Sequence, residues 1–358
     1  MSEAQLDLHS LADVRDAAEN ALSDRARAYI NGGAADETTL ADNDAAWSRL
    51  ALDPRMLSGV TEPDLSVTLL GRRRPHPIVI APTAFAALVH TEAEPGIARA
   101  AADTRTVMCL STFASTPPAE LADRVPDVTR WFQLYVFRDR GATRALIAAA
   151  EAHGYEALVL TVDRPVLGIR ERERRMGVRV DPVNTIGSPL PMNSLPVDTS
   201  TRVDGSLTWT DLERFASETE LPVLVKGILT ARDARLAADH GAAAVIVSNH
   251  GGRQLDTTLS GADALPEVAD AVGSELDVLV DGGVRRGTDI VKALALGARA
   301  VLVGRPLLWG LGLDGSAGAR LVLELLLEEL EIAMALTGAA SVSELDQSFV
   351  RPAPWARP

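Results

Sequence analysis

Eight short apolar segments recur along the central part of the chain, separated by stretches rich in Ala, Leu and Arg that have the composition of helices. Each segment is five or six residues long and mostly continuously apolar, as is typical of strands buried on both faces of a parallel sheet. Eight such strands with helical crossovers predict a (β/α)8 TIM barrel, and a doubly wound open sheet is the alternative. The segments are 77–81, 106–110, 130–135, 157–162, 221–226, 243–248, 276–281 and 299–304.

The regions on either side of this barrel, which spans about residues 77–315, have patterns of their own. Two helices are predicted before it, at 8–30 and 36–49, and a long amphipathic helix rich in Leu and Glu after it, at 316–337. Residues 177–206, after the fourth strand, contain four prolines and no regular periodicity. Because a loop this long is uncommon inside a compact domain, we predict a lid there. The whole chain is expected to form one domain.

Composition narrows the possible functions. The 358 residues include 35 Lys and Arg against 49 Asp and Glu, a formal net charge of −14, which argues against binding nucleic acid or an anionic membrane. The only cysteine, Cys109, lies in an apolar run and is expected to be a small buried side chain, so neither a disulfide nor a cysteine metal site is predicted. No apolar run reaches the ~20 residues of a membrane span, and the polar N-terminus does not read as a signal peptide. A cytoplasmic protein without a metal is expected.

Polar side chains follow nearly every predicted strand. In a barrel of this kind the carboxyl ends of the strands face the active site. Taken singly, each residue has an ordinary structural explanation, since a lysine that ends a strand is more often a solvated cap than a catalytic group. Their coincidence at all eight strands favours a functional site. The strand ends carry Pro82, Thr83, Ala84, Ser111, Gln133, Tyr135, Thr161, Asp163, Lys226, Ser248, His250, Arg253, Asp281, Gly283, Arg285, Gly304 and Arg305.

The loops after strands 7 and 8 predict a phosphate site. Gly282-Gly283 and Gly304 let the backbone approach a ligand closely, and this position is the usual phosphate site of the fold. Arg285 and Arg305 could add charge-assisted hydrogen bonds to a phosphate.

A second glycine pattern, Gly310-Leu-Gly312-Leu-Asp-Gly315, matches the dinucleotide fingerprint G-x-G-x-x-G. It does not directly follow a predicted strand, and no βαβ unit surrounds it. We therefore predict no dinucleotide site here.

Six segments of the chain resemble one known family. SNHGGRQLD (248–256) and DGGVRRG (281–287) are the most specific of its motifs, and APTAF (81–85), WFQLY (131–135), LTVDRPVLGIRE (160–171) and AYINGGAADETTL (28–40) follow the same order along the chain. The chain is similar, over roughly residues 10–350, to the FMN-dependent L-2-hydroxy-acid oxidases and dehydrogenases. These include glycolate oxidase, lactate oxidase, lactate monooxygenase, mandelate dehydrogenase and flavocytochrome b2.

The resemblance implies a role for each matching residue. His250 would be the catalytic base, Asp163 its ion-pair partner and Tyr135 a hydrogen-bond partner of the substrate oxygen. Tyr29, Arg170 and Arg253 would hold the substrate carboxylate, and Phe113 would line the substrate pocket. FMN would be contacted along its ring by Pro82, Thr83, Ala84, Ser111, Gln133, Thr161 and Lys226, and along its ribityl chain and phosphate by Ser248, Asp281, Gly283, Arg285, Gly304 and Arg305.

The chemistry of 2-hydroxy-acid oxidation agrees with these residue types. The reaction removes a proton from the hydroxyl group, and histidine can accept one near neutral pH. A fixed carboxylate such as Asp163 would orient the imidazole and stabilise its cation. A carboxylate substrate is best held by the planar, bidentate guanidinium of arginine. Whether C2 loses a hydride or a proton is left open.

The expected substrate is a lactate-like or larger L-2-hydroxy acid, because Phe85, Phe113 and Leu167 would give the pocket apolar walls. Oxygen is the expected electron acceptor, which would yield hydrogen peroxide. The alternatives are a dehydrogenase that uses a quinone or carrier protein, a lactate 2-monooxygenase and, more remotely, a non-catalytic flavin-binding protein. A homotetramer or octamer is expected from the resemblance.

Overall fold

Eight parallel strands close into a barrel in the computed structural model, which describes residues 8–178 and 203–355. Each strand pairs with the next along the chain and the last pairs with the first, so all eight predicted strands are confirmed and the open sheet is excluded. The barrel strands are β1 (Ile78–Ile80), β2 (Val107–Leu110), β3 (Arg130–Leu134), β4 (Leu158–Thr161), β5 (Val223–Ile228), β6 (Ala244–Val247), β7 (Asp277–Asp281) and β8 (Ala300–Val303).

Helices surround the barrel and precede it. Side-chain caps begin several of them, as where the Thr230 hydroxyl accepts a hydrogen bond from the Asp233 amide at 3.1 Å. The helices are α1 (Leu11–Ala21), α2 (Asp24–Asn31), α3 (Thr38–Ala46), α4 (Ala93–Thr104), α5 (Pro118–Arg124), α6 (Arg140–Ala152), α7 (Glu171–Arg175), α8 (Trp209–Ser217), α9 (Ala231–Asp239), α10 (Gly261–Val272), α11 (Gly287–Ala295) and α12 (Arg305–Thr337).

The barrel interior is a packed core, separate from the core between strands and helices. Alternate strand residues point inward, so Val107 and Cys109 of β2 join the interior cluster while Met108 and Leu110 join the outer one. Cys109 is buried as expected, and burial raises the pKa of its thiol. A short antiparallel hairpin, Val67–Leu69 with Arg72–Arg74, adds Val67 and Leu69 to the interior cluster. The two core clusters thus account for both faces of the strands.

The prediction of one helix over residues 8–30 is wrong, because two helices lie there. Leu22 is extended (φ −78°, ψ 147°) and ends α1. The Ser23 hydroxyl then accepts a hydrogen bond from the Ala26 amide at 3.2 Å and begins α2. Serine is more favourable as the N-cap of a new helix than in the interior of a continuous helix, so α1 ends and α2 begins here. The second predicted helix, 36–49, corresponds to α3 and the 3-10 turn Trp47–Arg49.

This N-terminal extension is hydrogen-bonded to loops at the carboxyl ends of the strands. The Asp256 carboxylate accepts from the Thr38 and Thr39 amides at 3.2 and 2.8 Å. The side chains of Asn43 and Asn249 donate to each other at 2.9 and 2.8 Å. These bonds place α2 and α3 beside the end of the barrel where the polar strand ends meet.

The long helix α12 contains a break at Asp314 and Gly315, whose backbone angles are not helical. The part after the break matches the predicted helix 316–337. The segments before and after the break pack closely at Gly310 and Gly318. A Cβ on Gly310 would lie 2.3 Å from the Gly318 carbonyl oxygen, so only glycine allows the two backbones to approach this closely. The glycine pattern at 310–315 therefore has a packing explanation.

The predicted lid, 177–206, falls mostly on residues 179–202, which lie outside the described residues.

Two further short strands, Leu50–Leu52 and Val350–Pro352, pair in antiparallel fashion and join the two ends of the described chain. In residues 8–178 and 203–355, none of the helices combines the length and apolarity that crossing a bilayer requires.

Candidate active site

One deep cavity opens at the carboxyl ends of the strands, and all eight strand ends contribute to its lining. The structure brings almost every residue singled out in the sequence to this cavity. Asp163 and Ser248 are the exceptions, and both lie directly behind lining residues. The lining includes Tyr29, Pro82, Thr83, Ala84, Ser111, Phe113, Gln133, Tyr135, Thr161, Arg170, Lys226, His250, Arg253, Asp281, Gly283, Arg285, Gly304 and Arg305.

His250 stands after β6 with one ring nitrogen held and the other available. Its Nδ1 lies 2.8 Å from Asp163 Oδ1, and its Nε2 lies 3.5 Å from the Tyr135 hydroxyl. The backbone of His250 is left-handed, with φ of +60°, a conformation that a non-glycine residue adopts mainly where the surroundings enforce it. An ionised Asp163 accepts from Nδ1–H, so the lone pair of Nε2 is available to take a proton.

The charges of this pair follow from burial and contact. Burial lowers the pKa of His250, and the attraction of Asp163 opposes this without cancelling it, so the imidazole is neutral near pH 7. Burial alone would raise the pKa of Asp163, but the charge and hydrogen bond of His250, with the charge of Lys226, leave the pKa of the carboxyl lowered. The arrangement is a neutral base oriented by a fixed anion.

Lys226 places a positive charge in the middle of the cavity. Its Nζ lies 2.8 Å from Asp281 Oδ2 and donates to the Ser248 hydroxyl at 2.6 Å. Burial alone would lower the pKa of this ammonium, but the carboxylates of Asp281 and Asp163 outweigh it and the pKa is raised. Ser248 also accepts from the His250 amide at 3.0 Å. The hydroxyl of Ser248 thus connects the backbone of His250 to the ammonium of Lys226. The predicted contact of Ser248 with a ribityl chain stays a prediction.

Four buried polar atoms of cavity-lining residues have no hydrogen-bond partner among the described residues: Gln133 Nε2, Thr161 Oγ1, Asp281 Oδ1 and Arg164 Nη1. The Gln133 amide is fixed from its other side, since its Oε1 accepts from the Ser111 hydroxyl at 3.2 Å and the Thr112 amide at 3.1 Å. Leaving buried polar atoms unpaired costs about 1–3 kcal/mol each. These atoms therefore fit a ligand with a polar edge.

The loops after β7 and β8 fit an anion. Among the described residues, Arg305 donates only to backbone carbonyls, those of Ile30, Gly251 and Gly32 at 2.8–3.2 Å, and burial lowers its pKa to about 9. Arg285 lies 3.0 Å from the Asp44 carboxylate. Gly283 has φ of +75°, and a Cβ there would lie 1.7 Å from the Asn43 carbonyl oxygen. Only glycine allows the loop after β7 to run this close to α3.

Two further arginines, Arg253 and Arg170, meet at Glu173. Arg253 donates from Nη1 to the Tyr29 and Gly32 carbonyls at 2.6 and 2.8 Å, and from Nη2 to Glu173 Oε1 at 2.7 Å. Arg170 Nη1 lies 3.7 Å from the same Glu173 oxygen. The Tyr29 hydroxyl donates to the Ala84 carbonyl at 3.2 Å. The two guanidinium groups thus converge on a single carboxylate, which belongs to a residue that the sequence reasoning missed.

Aromatic rings form one wall between the arginine pair and the barrel. Phe113 stacks on Phe85 with 6.2 Å between ring centroids and packs against Tyr135 at 5.2 Å. Leu167 also lines the cavity, as expected. A second missed residue, Arg164, lies over this wall. Its only signal in the sequence is its position next to Asp163.

The barrel, the base–carboxylate pair, the fixed ammonium and the anion-binding loops agree with what the resemblance to the flavin-mononucleotide-dependent oxidoreductases predicts. The model of the FMN-dependent dehydrogenase family matches residues 18–352, and the chain belongs to this family. Its FMN would be held along the ring by the polar atoms of Gln133 and Thr161 and by Lys226, and at the phosphate by the loops of Gly283 and Arg305.

Relatives of the same length support this membership. The chain is 46% identical to an L-lactate oxidase of Nostoc sp. over 356 residues, covering 95% of this chain and 97% of that protein. It is 44% identical to human 2-hydroxyacid oxidase 2, with 97% and 99% covered. Among solved structures, a mandelate oxidase superposes with a TM-score of 0.89 at 40% identity, with 96% and 98% covered.

Proposed function

We propose that this protein oxidises an L-2-hydroxy acid to the 2-keto acid and passes the two electrons to oxygen. The hydroxy acid loses two electrons and two protons, and O2 takes up the same number to give hydrogen peroxide. Bound FMN supplies the two-electron redox chemistry. The observation that carries the proposal is that Asp163 holds His250 through Nδ1, which leaves Nε2 directed to the Tyr135 hydroxyl in the cavity that Arg170 and Arg253 also line.

The side chains divide the work of binding and proton transfer. His250 Nε2 takes the hydroxyl proton, and Asp163 stabilises the imidazolium that results. Tyr135, whose hydroxyl is 3.5 Å from that nitrogen, hydrogen-bonds the substrate oxygen. The substrate carboxylate lies against Arg253 and Arg170, which sets the distance between the base and the C2 hydroxyl.

The apolar wall of Phe85, Phe113 and Leu167 supports a substrate with a side chain at C2. Each buried methylene group contributes ~1–3 kcal/mol of discrimination in such a pocket. A methyl or larger side chain is thus favoured over the bare hydrogen of glycolate. Relatives named L-lactate oxidase and mandelate oxidase are consistent with this range.

Anaerobic reduction followed by admission of air tests the proposal. The purified yellow protein is mixed without oxygen with L-lactate, L-mandelate or a longer aliphatic L-2-hydroxy acid, and the visible flavin absorbance is recorded. We expect bleaching, then rapid recolouring in air with one hydrogen peroxide per flavin. Slow recolouring favours a dehydrogenase with a quinone or carrier-protein acceptor, and acetate and CO2 from lactate favour a monooxygenase. Absence of bleaching with every acid contradicts the proposal and supports a non-catalytic flavoprotein.

The pH dependence of flavin reduction is the next prediction. His250 accepts a proton only when neutral, and its pKa lies below the ordinary value of about 6.5. The reduction rate should therefore be close to its plateau at pH 7–8, with its inflection below pH ~6.5. In Asp163→Asn the charge that raises the pKa of His250 is lost, so the inflection should move to still lower pH. Anaerobic stopped-flow measurements across pH check both points, and an inflection above pH ~7 contradicts the assignment.

We further propose the assembly and location expected from the sequence, a cytoplasmic homotetramer or octamer. Sedimentation velocity on the holoenzyme measures the assembly directly. A monomer over the whole concentration range would contradict it.

A further inference from the structure

Arg164 lies in the cavity beside the proposed reaction centre. It follows Asp163 at the end of β4, and its Cζ stands 4.9 Å from the centre of the Tyr135 ring and 5.3 Å from that of Phe113. The same Tyr135 carries the hydroxyl that faces His250 Nε2. The guanidinium therefore packs against the ring whose hydroxyl faces the proposed base.

Within residues 8–178 and 203–355, this guanidinium has no anionic partner. The described part of the chain gives Arg164 neither an ion pair nor a hydrogen bond, and its Nη1 is buried without a partner. Near it, Lys226 is paired with Asp281, while Arg170 and Arg253 share the single carboxylate of Glu173 and so keep one net positive charge for the first carboxylate of the substrate. A substrate carboxylate bound by that arginine pair still leaves Arg164 unpaired.

We propose that Arg164 binds a second anionic group at the far end of the substrate side chain, so that the preferred substrates are 2-hydroxy dicarboxylates. The inference rests on the proposed function and specifies its substrate class. The carbon chain between the two carboxylates would lie along the apolar wall of Phe113 and Leu167. The first carboxylate keeps its place at Arg170 and Arg253.

The chemistry of the guanidinium favours a carboxylate over a neutral or aromatic side chain. Arginine binds carboxylates through two parallel hydrogen bonds, and such charge-assisted bonds are about twice as strong as neutral ones. A neutral alkyl chain would leave Nη1 buried and unpaired. A site built to hydrogen-bond a polar group of its substrate strongly rejects an analogue that lacks this group. The rings of Phe113 and Tyr135 already supply the π contacts of Arg164. What the group lacks is a hydrogen-bond acceptor.

Matched substrates test the proposal in the holoenzyme. L-malate and L-2-hydroxyglutarate are compared with their ω-monoamides, which have nearly the same shape without the second charge, and with L-2-hydroxyvalerate. Anaerobic stopped-flow measurements give the rate constant and Kd for flavin reduction. We expect the ratio of rate constant to Kd to be about tenfold or more higher for at least one diacid than for its amide. This factor corresponds to the free energy that a hydrogen bond to a charged group contributes. A second readout without turnover is the Kd of 2-oxoglutarate against 2-oxovalerate, from the shift of the flavin spectrum.

Variants assign the preference to this side chain. In Arg164→Gln the diacid and amide should become nearly equal, and Arg164→Lys should keep part of the preference. Arg174→Gln is the matched control, because Arg174 is exposed on α7, outside the cavity lining, and its loss changes the net charge equally. Flavin content and Tm show that each variant is folded.

Several results would overturn the inference. The first is that the native enzyme uses diacid and amide equally well. The second is that the preference for the diacid persists in Arg164→Gln. The third is that Arg174→Gln loses this preference to the same extent as Arg164→Gln, which would indicate a long-range electrostatic effect. Faster reduction by L-mandelate than by either diacid would make Arg164 a platform for aromatic rings instead. If neutral 2-hydroxy acids reduce the flavin in these cases, the proposed function stands and only the substrate class is wrong. If no 2-hydroxy acid reduces it, the proposed function itself fails.

Discussion

His250→Ala should retain FMN and lose flavin reduction by a 2-hydroxy acid, with the rate constant falling by about 10²–10⁴-fold, the usual contribution of a general base. The residue contacts Asp163 and Tyr135 through its ring and lines the cavity, whereas the unpaired polar atoms that fit a flavin belong to other residues. Anaerobic stopped-flow absorbance measures the rate, and the protein-bound flavin spectrum measures retention.

A second histidine provides the control for this substitution. His240 follows α9, lies 3.5 Å from Glu213 and is not part of the cavity lining. His240→Ala should therefore leave the reduction rate close to that of the native enzyme. Rapid reduction of His250→Ala by substrate would reject His250 as the base and leave Tyr135 as the group nearest to the substrate hydroxyl.

Arg253→Met should raise the substrate Kd for flavin reduction by about 10²-fold or more, because truncating one partner of a buried charge pair costs about 2–5 kcal/mol. The side chain is part-buried, and its Nη2 already binds a carboxylate, that of Glu173. The Kd comes from the substrate dependence of the anaerobic reduction rate. Since Nη1 also holds the Tyr29 and Gly32 carbonyls, flavin content and Tm must be measured on the same sample.

The control for this variant is Arg172→Met on the adjacent surface. Arg172 pairs with Glu37 and does not line the cavity, so its loss should leave the Kd unchanged. An unchanged Kd in Arg253→Met, together with a large increase in Arg170→Met, would transfer the carboxylate-binding role to Arg170.

The barrel could be predicted from sequence because its signal is local. Each strand is a continuous apolar run, and each run ends in polar residues that a barrel gathers at one face. The placement of Gln133, Lys226 and His250 in one cavity followed from this rule alone. Their assignment to FMN came from the resemblance, which supplied what the strand pattern could not.

The features that sequence reasoning missed depend on contacts between distant segments. Glu173 lies in the run ERERR, whose alternating charges are typical of a solvated helix face. Only the fold shows that Glu173 turns inward to Arg253, while Arg172 pairs outward with Glu37. The break between α1 and α2 has a different cause. The sequence on both sides of Ser23 has a helical pattern, so the pattern alone does not show that Ser23 caps a second helix.

The hydrogen bonds of the N-terminal extension bear on how the protein is made. Asn43 and Asn249 are 206 positions apart, and Arg253 and Gly32 are 221 apart. Ribosomes add about 5–20 residues per second, so α2 and α3 are synthesised roughly 10–40 s before the loop after β6 exists. Contacts of such long sequence separation form late because loop closure must come first. Because the cavity combines Tyr29 with Arg253 and Arg305, a chain that has not been synthesised past the loop after β8 lacks part of its active site and cannot turn over substrate.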